Sequence, residues 1–334
     1  MYIHSKKTLS VITPSFHNVT SPTPEIPNKK ETDIFVPYWS INNQLQVQNY
    51  NKVIYFGLTA SADGIDTSDN GYKNLNRFVS QVQNKQTILC LTLINQDFND
   101  LLLDNKQLQQ KIIAQSIAVA KENNFSGILL DFEFNALGFD QVIKNINDFY
   151  SLFSSSIKKE NLEFDTTMYG DAFYRSRPYD IKKIASVSDT VFVMAYDLHK
   201  ANGDVGPNFP LNNSDYDLKK MTDDFLQVIP SKKINIVFGL YGYDWKITDN
   251  GNSIGKAAVI TDAEINAKFY PSCPFTNCQI KNDQASTETH ITYIDTSGQK
   301  HSLWFDSLNS VSQKQQYLYS RNIMSSAFWA YGYF

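Results

Sequence analysis

Short apolar runs recur along the chain from Asp33 onward and alternate with segments in which apolar residues return every three or four positions. Several of the short runs are apolar on both faces, which is typical of parallel strands covered by helices. Helices are predicted at Leu108–Asn123 and Phe139–Lys158, where the apolar stripe has a period of about 3.6 residues. The eight predicted strands are Ile34–Trp39, Val53–Leu58, Thr87–Ile94, Gly127–Phe132, Glu163–Tyr169, Thr190–Tyr196, Ile234–Leu240 and Ser326–Ala330.

The number of strands favours one α/β architecture over another. Eight strands with interleaved helices over roughly 300 residues favour a (β/α)8 TIM barrel. A doubly wound parallel sheet would show nearly the same alternation, so the count of eight decides between the two. Active sites of such barrels form at the carboxyl ends of the strands, and polar residues at those ends are therefore the first candidates for a function.

The interval at about 246–302 interrupts the alternation of strands and helices. It is rich in Asp, Asn, Gly and Thr, contains a strand-like run at Thr289–Asp295, and is too long for an ordinary loop between a strand and a helix. We therefore expect residues 33–334 to form the barrel. A small α+β insertion would lie between the seventh strand and its helix, which is predicted at Val311–Arg321.

The two ends of the chain carry weaker signals. Residues 1–32 are rich in Ser, Thr, Pro and Asn and have no sustained periodicity, which predicts a disordered tail or linker. The apolar run after Lys6 and Lys7 is short and is broken by Pro14, so it is not a convincing signal peptide. The chain ends soon after the eighth strand, without the helix that usually follows. We expect that the N-terminal segment covers this face or that the sequence is truncated.

Composition and charge narrow the classes of function. Hydrophobic residues make up 42% of the 334 residues and charged residues 19%, which permits a sizeable core and excludes a disordered chain. The net charge of -4 and the lack of a basic stripe argue against nucleic acid as a partner. No run of 18 apolar residues occurs, so no membrane span is expected. Aromatic residues reach 13%, which is suggestive of a surface that binds sugar rings.

Three cysteines are too few for a disulfide framework. Cys273 and Cys278 are close enough in sequence for a local disulfide, and four intervening residues suit two free thiols equally well. With no second cysteine pair and no nearby histidine cluster, neither a zinc site nor any other metal site is expected. The motifs of zinc proteases, phosphate-binding loops and serine hydrolases are absent from the sequence.

The strongest local candidate for chemistry lies at the end of the fourth strand. Asp131 and Glu133 are two residues apart, so both side chains point to the same face of the strand, which in a barrel is the interior. Two carboxylates this close repel each other, so one should titrate high and be available as a general acid. The alternative is an acid pair that caps the next helix or meets solvent.

Four motifs in the correct order resemble glycoside hydrolase family 18, the chitinase-like hydrolases. The segment at Ser126–Glu133 resembles the family's DxxDxDxE motif, Val193–Asp197 resembles its MxYD motif, and Ala327–Ala330 resembles its eighth-strand segment with a tryptophan. Gly239–Trp245, followed much later by His301–Asp306, is similar to the branch of bacterial spore-cortex and cell-wall N-acetylglucosaminidases. The resemblance implies a TIM barrel and a hydrolase that needs no cofactor.

The resemblance also implies a substrate-assisted mechanism, in which the acetamido group of the sugar is the nucleophile. Glu133 would be the general acid and base. Asp131 would orient and stabilise the acetamido group, and Tyr196 would donate its hydroxyl to it. Such a mechanism requires a 2-acetamido sugar, as in chitin oligosaccharides, peptidoglycan or the cores of N-glycans.

Substrate-binding residues follow from the same resemblance. Asp197 would bind the sugar near the cleaved bond, Met194 would form part of the pocket wall, and Trp329 would form an apolar floor. Three more aromatic residues at strand ends are candidates for sugar subsites, with a place in the core as the alternative for each. These residues are Trp39, Tyr169 and Tyr241.

Two positions depart from the family pattern. Ser126 and Leu129 stand where the family has aspartates, and Leu129 shares the inward face with Asp131. We therefore expect Asp131 to be more simply ionised here, with catalysis retained because Glu133 is present. The substitution Leu129→Asp should then change the pH–rate profile. The third strand reads Leu91–Asn95 in place of the family's SxGG, which argues more against a chitinase than against the family.

The leading hypothesis is a retaining glycosidase that acts on β-linked N-acetylglucosamine, of the N-acetylglucosaminidase or chitinase type. The alternative is a chitinase-like lectin that binds such glycans without cleaving them, and the presence of Glu133 argues against it. A third alternative is a structural barrel that binds no ligand. It would require the matches at Tyr196, Asp197 and Trp329 to be accidental. We expect a monomer whose partner is a glycan containing N-acetylglucosamine. An extracellular or cell-surface location is expected, with a cytoplasmic one left open.

Overall fold

The computed structural model describes residues 29–42, 44–213 and 215–334. Most of the predicted tail at 1–32 therefore lies outside the described residues. Its last residues do not belong to a tail, because Glu31 and Thr32 already form the start of the first strand. They pair in parallel with Ser325 and Ser326 near the C-terminus.

Eight parallel strands form a closed barrel. The barrel strands are β1 (Glu31–Pro37), β2 (Lys52–Ser61), β4 (Gln86–Leu93), β5 (Gly127–Phe132), β6 (Glu163–Tyr169), β7 (Thr190–Ala195), β8 (Ile234–Gly239) and β14 (Ser325–Trp329). They pair in this order, and β14 pairs with β1 to close the barrel. A short strand, β3 (Gly64–Ile65), pairs antiparallel with the end of β2. The TIM barrel prediction is confirmed, and closure excludes the doubly wound sheet.

Helices connect the barrel strands and cover them. Those of the barrel are α1 (Asn70–Val79), α2 (Gln96–Asp104), α3 (Lys106–Glu122), α4 (Asp140–Lys159), α5 (Ile181–Val187), α6 (Leu218–Val228) and α8 (Leu308–Ser320). Several begin at a side chain that accepts a hydrogen bond from a free backbone N–H, as Asn105 does from Leu108 at 3.0 Å. The apolar stripe of α4 is buried, as its period predicts. Its buried apolar members are Ile146, Phe149, Tyr150, Phe153 and Ile157.

Alternation along the strands fills the barrel interior with apolar side chains. The interior cluster consists of Phe35, Ile54, Ile88, Cys90, Leu129, Phe192, Val237 and Ala327. Below this cluster, at the amino ends of the strands, Lys52 forms ion pairs with Asp165 at 3.1 Å and with Glu163. Above it, the interior positions at the carboxyl ends are occupied by the candidate site.

A five-stranded antiparallel sheet and one helix form the insertion between β8 and α8. Its elements are β9 (Tyr241–Ile247), β10 (Ala258–Thr261), α7 (Asp262–Phe269), β11 (Thr276–Asn282), β12 (Thr289–Ile294) and β13 (Lys300–Phe305). The sheet begins at Tyr241, earlier than the expected 246, because β9 follows β8 after one residue. Cys273 and Cys278 are joined by a disulfide, which decides between the two alternatives left open by their spacing.

Several predicted strands end earlier in the structure than their apolar runs do. Trp39 lies in a 3-10 turn at Tyr38–Ser40, and Tyr196 lies just beyond the end of β7. These residues continue the apolar pattern of their strands without joining the hydrogen-bonded ladder. They therefore lie at the mouth of the barrel.

Candidate active site

Glu133 lies directly after β5 at the mouth of the barrel, and its backbone is held on both sides. Its N–H donates to the Leu93 carbonyl at 2.9 Å, and the Asn99 amide donates to its carbonyl at 2.9 Å. Its carboxylate accepts a hydrogen bond of 2.7 Å from the Tyr169 hydroxyl, which comes from the end of β6. The acid is therefore fixed by two neighbouring strands.

Asp131 lies one step deeper on the same face of β5 and is 3% exposed. It accepts a hydrogen bond of 2.6 Å from the Thr167 hydroxyl. Burial, and then the neighbouring Glu133, raise the pKa of Asp131 to about 8. The expectation of a simply ionised Asp131 is therefore wrong. Leu129 removes a like charge from below, but its apolar side chain also excludes the water that would stabilise the ionised form.

Burial also raises the pKa of Glu133, and its polar neighbours modulate the shift. The hydrogen bond from Tyr169 and the positive charges of Lys200 and Arg177 lower this pKa, whereas the negative charge of Asp197 raises it. The pKa values of both carboxyl groups therefore lie above the ordinary range of a carboxylic acid, and burial is the main cause at each. An acid that is both buried and able to give up a proton is suited to general acid catalysis.

Asp197 follows β7 by two residues and has the left-handed backbone angle φ of 61°. Its N–H donates to the Asn208 side chain at 2.7 Å. Its carboxylate accepts hydrogen bonds from the hydroxyls of Tyr241 and Tyr243, the latter at 2.6 Å. Both tyrosines belong to β9, so the insertion places and orients this carboxylate.

A cavity of about 70 Å³ opens between these groups. Five of the predicted site residues line it, namely Glu133, Tyr169, Met194, Tyr196 and Asp197. The structure therefore brings them together from β5, β6 and β7, as their positions at strand ends predict. Tyr241 is not among the lining residues, because it lies behind Asp197 and gives its hydroxyl to that carboxylate.

Trp329 and Trp39 form an aromatic group at the other side of the barrel mouth. The ring of Trp329 lies 4.6 Å from that of Phe56, 5.8 Å from that of Phe35 and 6.4 Å from that of Trp39, between centroids. Trp329 and Tyr196 both pack on the apolar interior cluster. Trp39 is 52% exposed, which leaves its ring accessible. Exposed aromatic faces of this kind are available to stack on a flat ligand.

A wider groove of about 660 Å³ adjoins the cavity, and Lys200 lines both. Tyr174 and Tyr216 stack in its wall with ring centroids 4.9 Å apart. Arg177 lies 3.6 Å over the Tyr169 ring and donates to Asp171 at 2.7 Å. The groove thus extends the site away from Trp329 with aromatic and charged side chains.

Sequence reasoning missed several of these side chains, which are Thr167, Arg177, Lys200, Asn208 and Tyr243. Two of them carry a usable signal, because Thr167 and Tyr243 each lie two residues from a predicted site residue on the same strand. The other three lie on loops, where no periodicity shows which way a side chain points.

No three His, Cys, Asp or Glu side chains in residues 29–42, 44–213 and 215–334 are grouped so that they could hold a metal ion. Among the helices of those same ranges, none is long and apolar enough to span a membrane.

A family model described as glycosyl hydrolases family 18 matches residues 5–333, which is nearly the whole chain. The chain belongs to family 18. The match confirms the family that the strand-end motifs predict.

Relatives by sequence support the spore-cortex branch within family 18. The cortical fragment-lytic enzyme of Bacillus subtilis is 23% identical over 277 residues, which cover 77% of this chain and 59% of that protein. The class V chitinase of Arabidopsis thaliana is 25% identical over 244 residues, which cover 69% and 64%. The chain therefore spans less than two thirds of the length of either relative.

Solved structures of similar proteins have the same fold. The chitinase of Cycas revoluta in complex with (GlcNAc)3 superimposes with a TM-score of 0.78 at 19% identity, over 90% of this chain and 95% of that one. The Bacillus cereus spore cortex-lytic enzyme SleL gives a TM-score of 0.71 at 19% identity, over 91% and 71%. At such identity the likeness establishes the barrel and not the activity.

Proposed function

We propose that this family 18 protein is a retaining glycosidase that cleaves glycans at β-linked N-acetylglucosamine by substrate-assisted catalysis. The observation that carries the proposal is the carboxyl group of Glu133. It is held by Tyr169, borders an open cavity, and lies beside a second carboxyl group whose pKa is raised to about 8. Glu133 is the general acid and base of the reaction.

In the first step, Glu133 gives its proton to the glycosidic oxygen, and the bond from that oxygen to C1 breaks. The acetamido oxygen of the same sugar attacks C1 and forms an oxazolinium ion, so no enzyme nucleophile is needed. Asp131, one step deeper, accepts the acetamido N–H and, in its ionised form, stabilises the positive charge that develops on that group. Tyr196 donates its hydroxyl to the acetamido group, and Asp197 binds the sugar near the cleaved bond.

In the second step, the ionised Glu133 removes a proton from a water molecule, and that water attacks C1. The bond between C1 and the acetamido oxygen breaks, and the configuration at C1 is retained after two inversions. Trp329 forms the apolar floor under the sugar, and Trp39 extends it. Tyr169 holds Glu133 in place throughout, whereas Tyr241 acts on the sugar only by orienting Asp197.

Two classes of substrate fit the mechanism, peptidoglycan and chitin oligosaccharides. The names of the relatives include both cortical fragment-lytic enzymes and a class V chitinase. The groove beside Lys200 extends the site by about 660 Å³, which gives room for a glycan longer than one sugar. An extracellular or cell-surface site of action follows if peptidoglycan is the substrate, and the monomeric state stays a prediction.

The decisive experiment measures turnover of N-acetylglucosamine oligomers and of purified peptidoglycan by the wild type and by Glu133→Gln. We expect kcat to fall by about 10³-fold or more in the variant, because the general acid is lost. Glu160→Gln is a matched surface control, since Glu160 contacts Lys121 away from the site. Comparing the two substrates identifies the class of glycan, and reducing-end analysis of the products separates exo from endo cleavage.

Two outcomes would contradict the proposal. Turnover that persisted in Glu133→Gln would overturn the assignment of the acid. Tight binding of oligomers by both proteins, with turnover by neither, would favour the lectin. In the expected outcome, Glu133→Gln still binds the oligomers, because the binding residues are unchanged.

A further inference from the structure

Glu288 is a fully buried residue of the insertion whose carboxylate reaches the barrel. It precedes β12 and accepts hydrogen bonds from the backbone N–H groups of Asn208 at 2.6 Å and Phe209 at 2.8 Å. These two residues belong to the loop that follows β7. The carboxylate thus holds two successive N–H groups of a loop to which it is not adjacent in sequence.

The residue held in this way is itself in contact with the candidate site. The Asn208 side chain accepts from the N–H of Asp197 at 2.7 Å and donates to the Tyr241 carbonyl at 3.1 Å. Asn208 is fully buried, so its amide has no competing water. It fixes the backbone of Asp197 at the left-handed φ of 61°, a backbone conformation that residues other than glycine rarely adopt.

A buried ammonium group anchors Glu288 from the other side. Lys314 on α8 donates to Glu288 at 2.9 Å, to both oxygens of Asp306 at 2.7 Å, and to the Phe209 carbonyl at 2.6 Å. All three ionisable groups are at most 1% exposed. Buried charges are stable only when their partners are in place, so this cluster holds the Glu288 carboxylate in one position.

Backbone contacts extend the same attachment. Leu211 donates to the Ser286 carbonyl at 2.9 Å, and Asn212 donates to the Ala285 carbonyl at 3.1 Å. The segment before β12 therefore holds the loop after β7 at four points, including the two N–H groups bound by Glu288. The insertion holds Asp197 twice, through this loop at its backbone and through two tyrosines of β9 at its carboxylate.

We infer that Glu288 is a positioning residue for the reaction, which acts by holding Asn208 against the backbone of Asp197. The inference rests on the proposed function, in which Asp197 binds the sugar. Glu288 touches no substrate and acts entirely through Asp197. The insertion then contributes to catalysis, although the side chains of its ion cluster do not line the cavity.

The test is a double-mutant cycle on kcat/KM, measured well below the melting temperature of each variant. We expect Glu288→Gln to lower kcat/KM by about 10-fold to 100-fold, chiefly in kcat, because a small displacement of a sugar-binding group is costly in the transition state. In the Asp197→Asn background, the same substitution should change kcat/KM by less than about twofold, since residues that act through one group are not additive.

Two further variants keep the test decisive. Asn208→Ser removes the amide and leaves the ion cluster intact, so an unchanged kcat/KM in this variant would overturn the inference even if Glu288→Gln does not fold. It should show the same loss and the same lack of additivity. Asp165→Asn is a control for lost buried charge, because Asp165 pairs with Lys52 at the opposite end of the barrel. It should leave kcat/KM unchanged, whatever its effect on the melting temperature.

Each other outcome overturns a stated claim. If Glu288→Gln leaves kcat/KM unchanged, or if its loss adds fully to that of Asp197→Asn, Glu288 is structural only and the inference fails. The proposed function would stand in either case. If Asp197→Asn has no effect by itself, the role of Asp197 in the proposed function fails, and the inference fails with it.

Discussion

The two ends of the barrel interior each contain a buried carboxylate, and the two differ in their partners. Asp165, near the amino ends of the strands, is fully buried and pairs with Lys52 at 3.1 Å. It also accepts the N–H of Thr190 at 3.0 Å. Asp131, near the carboxyl ends, is 3% exposed and accepts the Thr167 hydroxyl, and it has no ion pair within the described residues.

Their pKa values alone do not separate these two groups. Burial raises the pKa of Asp131 to about 8 and that of Asp165 to about 7, the latter against the opposing charge of Lys52. A raised pKa therefore marks burial and does not by itself mark a site of catalysis. What separates them is that Asp131 lies beside an acid that borders a cavity, whereas Asp165 lies beside its own counter-ion.

The largest expected effect comes from exchanging each carboxylate for its amide. Asp131→Asn should lower kcat/KM by about 10² to 10³-fold, because the amide does not stabilise the charge that develops on the acetamido group. Asp165→Asn should leave kcat/KM within about twofold, because Asp165 lies at the opposite end of the barrel from the candidate site and pairs with Lys52 there. If Asp165→Asn is fully folded and still loses activity, the distinction between Asp131 and Asp165 is wrong.

The effect of Asp131→Asn on stability should depend on pH. Its folded pKa of about 8 lies above the unfolded value of about 3.9, so ionisation costs stability as the pH rises between these values. Asp131→Asn should therefore raise the free energy of unfolding at pH 8 by about 0.5–2 kcal/mol, and with it the melting temperature. Below about pH 4 the substitution should have little effect. Calorimetry at both pH values checks this prediction, and equal shifts would contradict it.

A smaller effect is expected from the hydroxyl that holds Glu133. Tyr169→Phe should lower kcat/KM by about tenfold, the order of one hydrogen bond to a charged group. Because this hydrogen bond lowers the pKa of Glu133, its loss should raise that pKa. The general acid then stays protonated to higher pH, so the alkaline limb of the pH–rate profile should move upward. Tyr150→Phe, which removes a buried hydroxyl bound to Thr166, is the control and should leave the limb in place.

The smallest effect should come from the charge at the rim. Lys200 lowers the pKa of Glu133, so Lys200→Gln should move the alkaline limb to higher pH with less than about a threefold change in kcat. Lys200 is exposed, and added salt should therefore reduce the difference between wild type and variant. Lys246→Gln, an exposed lysine of β9, serves as the control. A limb that moves to lower pH would show that another charge dominates at Glu133.

Strand-end residues were accessible to sequence reasoning because the period of a strand is two. Glu133 and Asp131 share a face by that rule, and the parallel order of β5, β6 and β7 brings them near Tyr169 and Met194. The same rule predicts that Thr167 lies on the same face of β6 as Tyr169. It does not predict that Leu129 excludes water from the surroundings of Asp131, since that depends on how the whole interior cluster packs.

Loop residues were not accessible in this way. Asn208, Arg177 and Lys200 reach the site because their loops fold back over the barrel mouth, and nothing in the sequence states how far each loop extends. Tyr241, the first residue of β9, shows a related limit: its position was compatible with a sugar subsite or with the core, and only the structure shows that its hydroxyl is bound to Asp197.

The sequence by itself determined the barrel, its family and the acid pair, because periodicity and motif spacing act over short distances along the chain. Only the tertiary structure decided that Glu288, Asn208 and Asp197 form one connected path. Glu288 lies 80 residues from Asn208 in sequence, and their contact depends on the insertion docking against the loop after β7. Such contacts are set by the packing of whole elements, which no local pattern of hydrophobic and polar residues records.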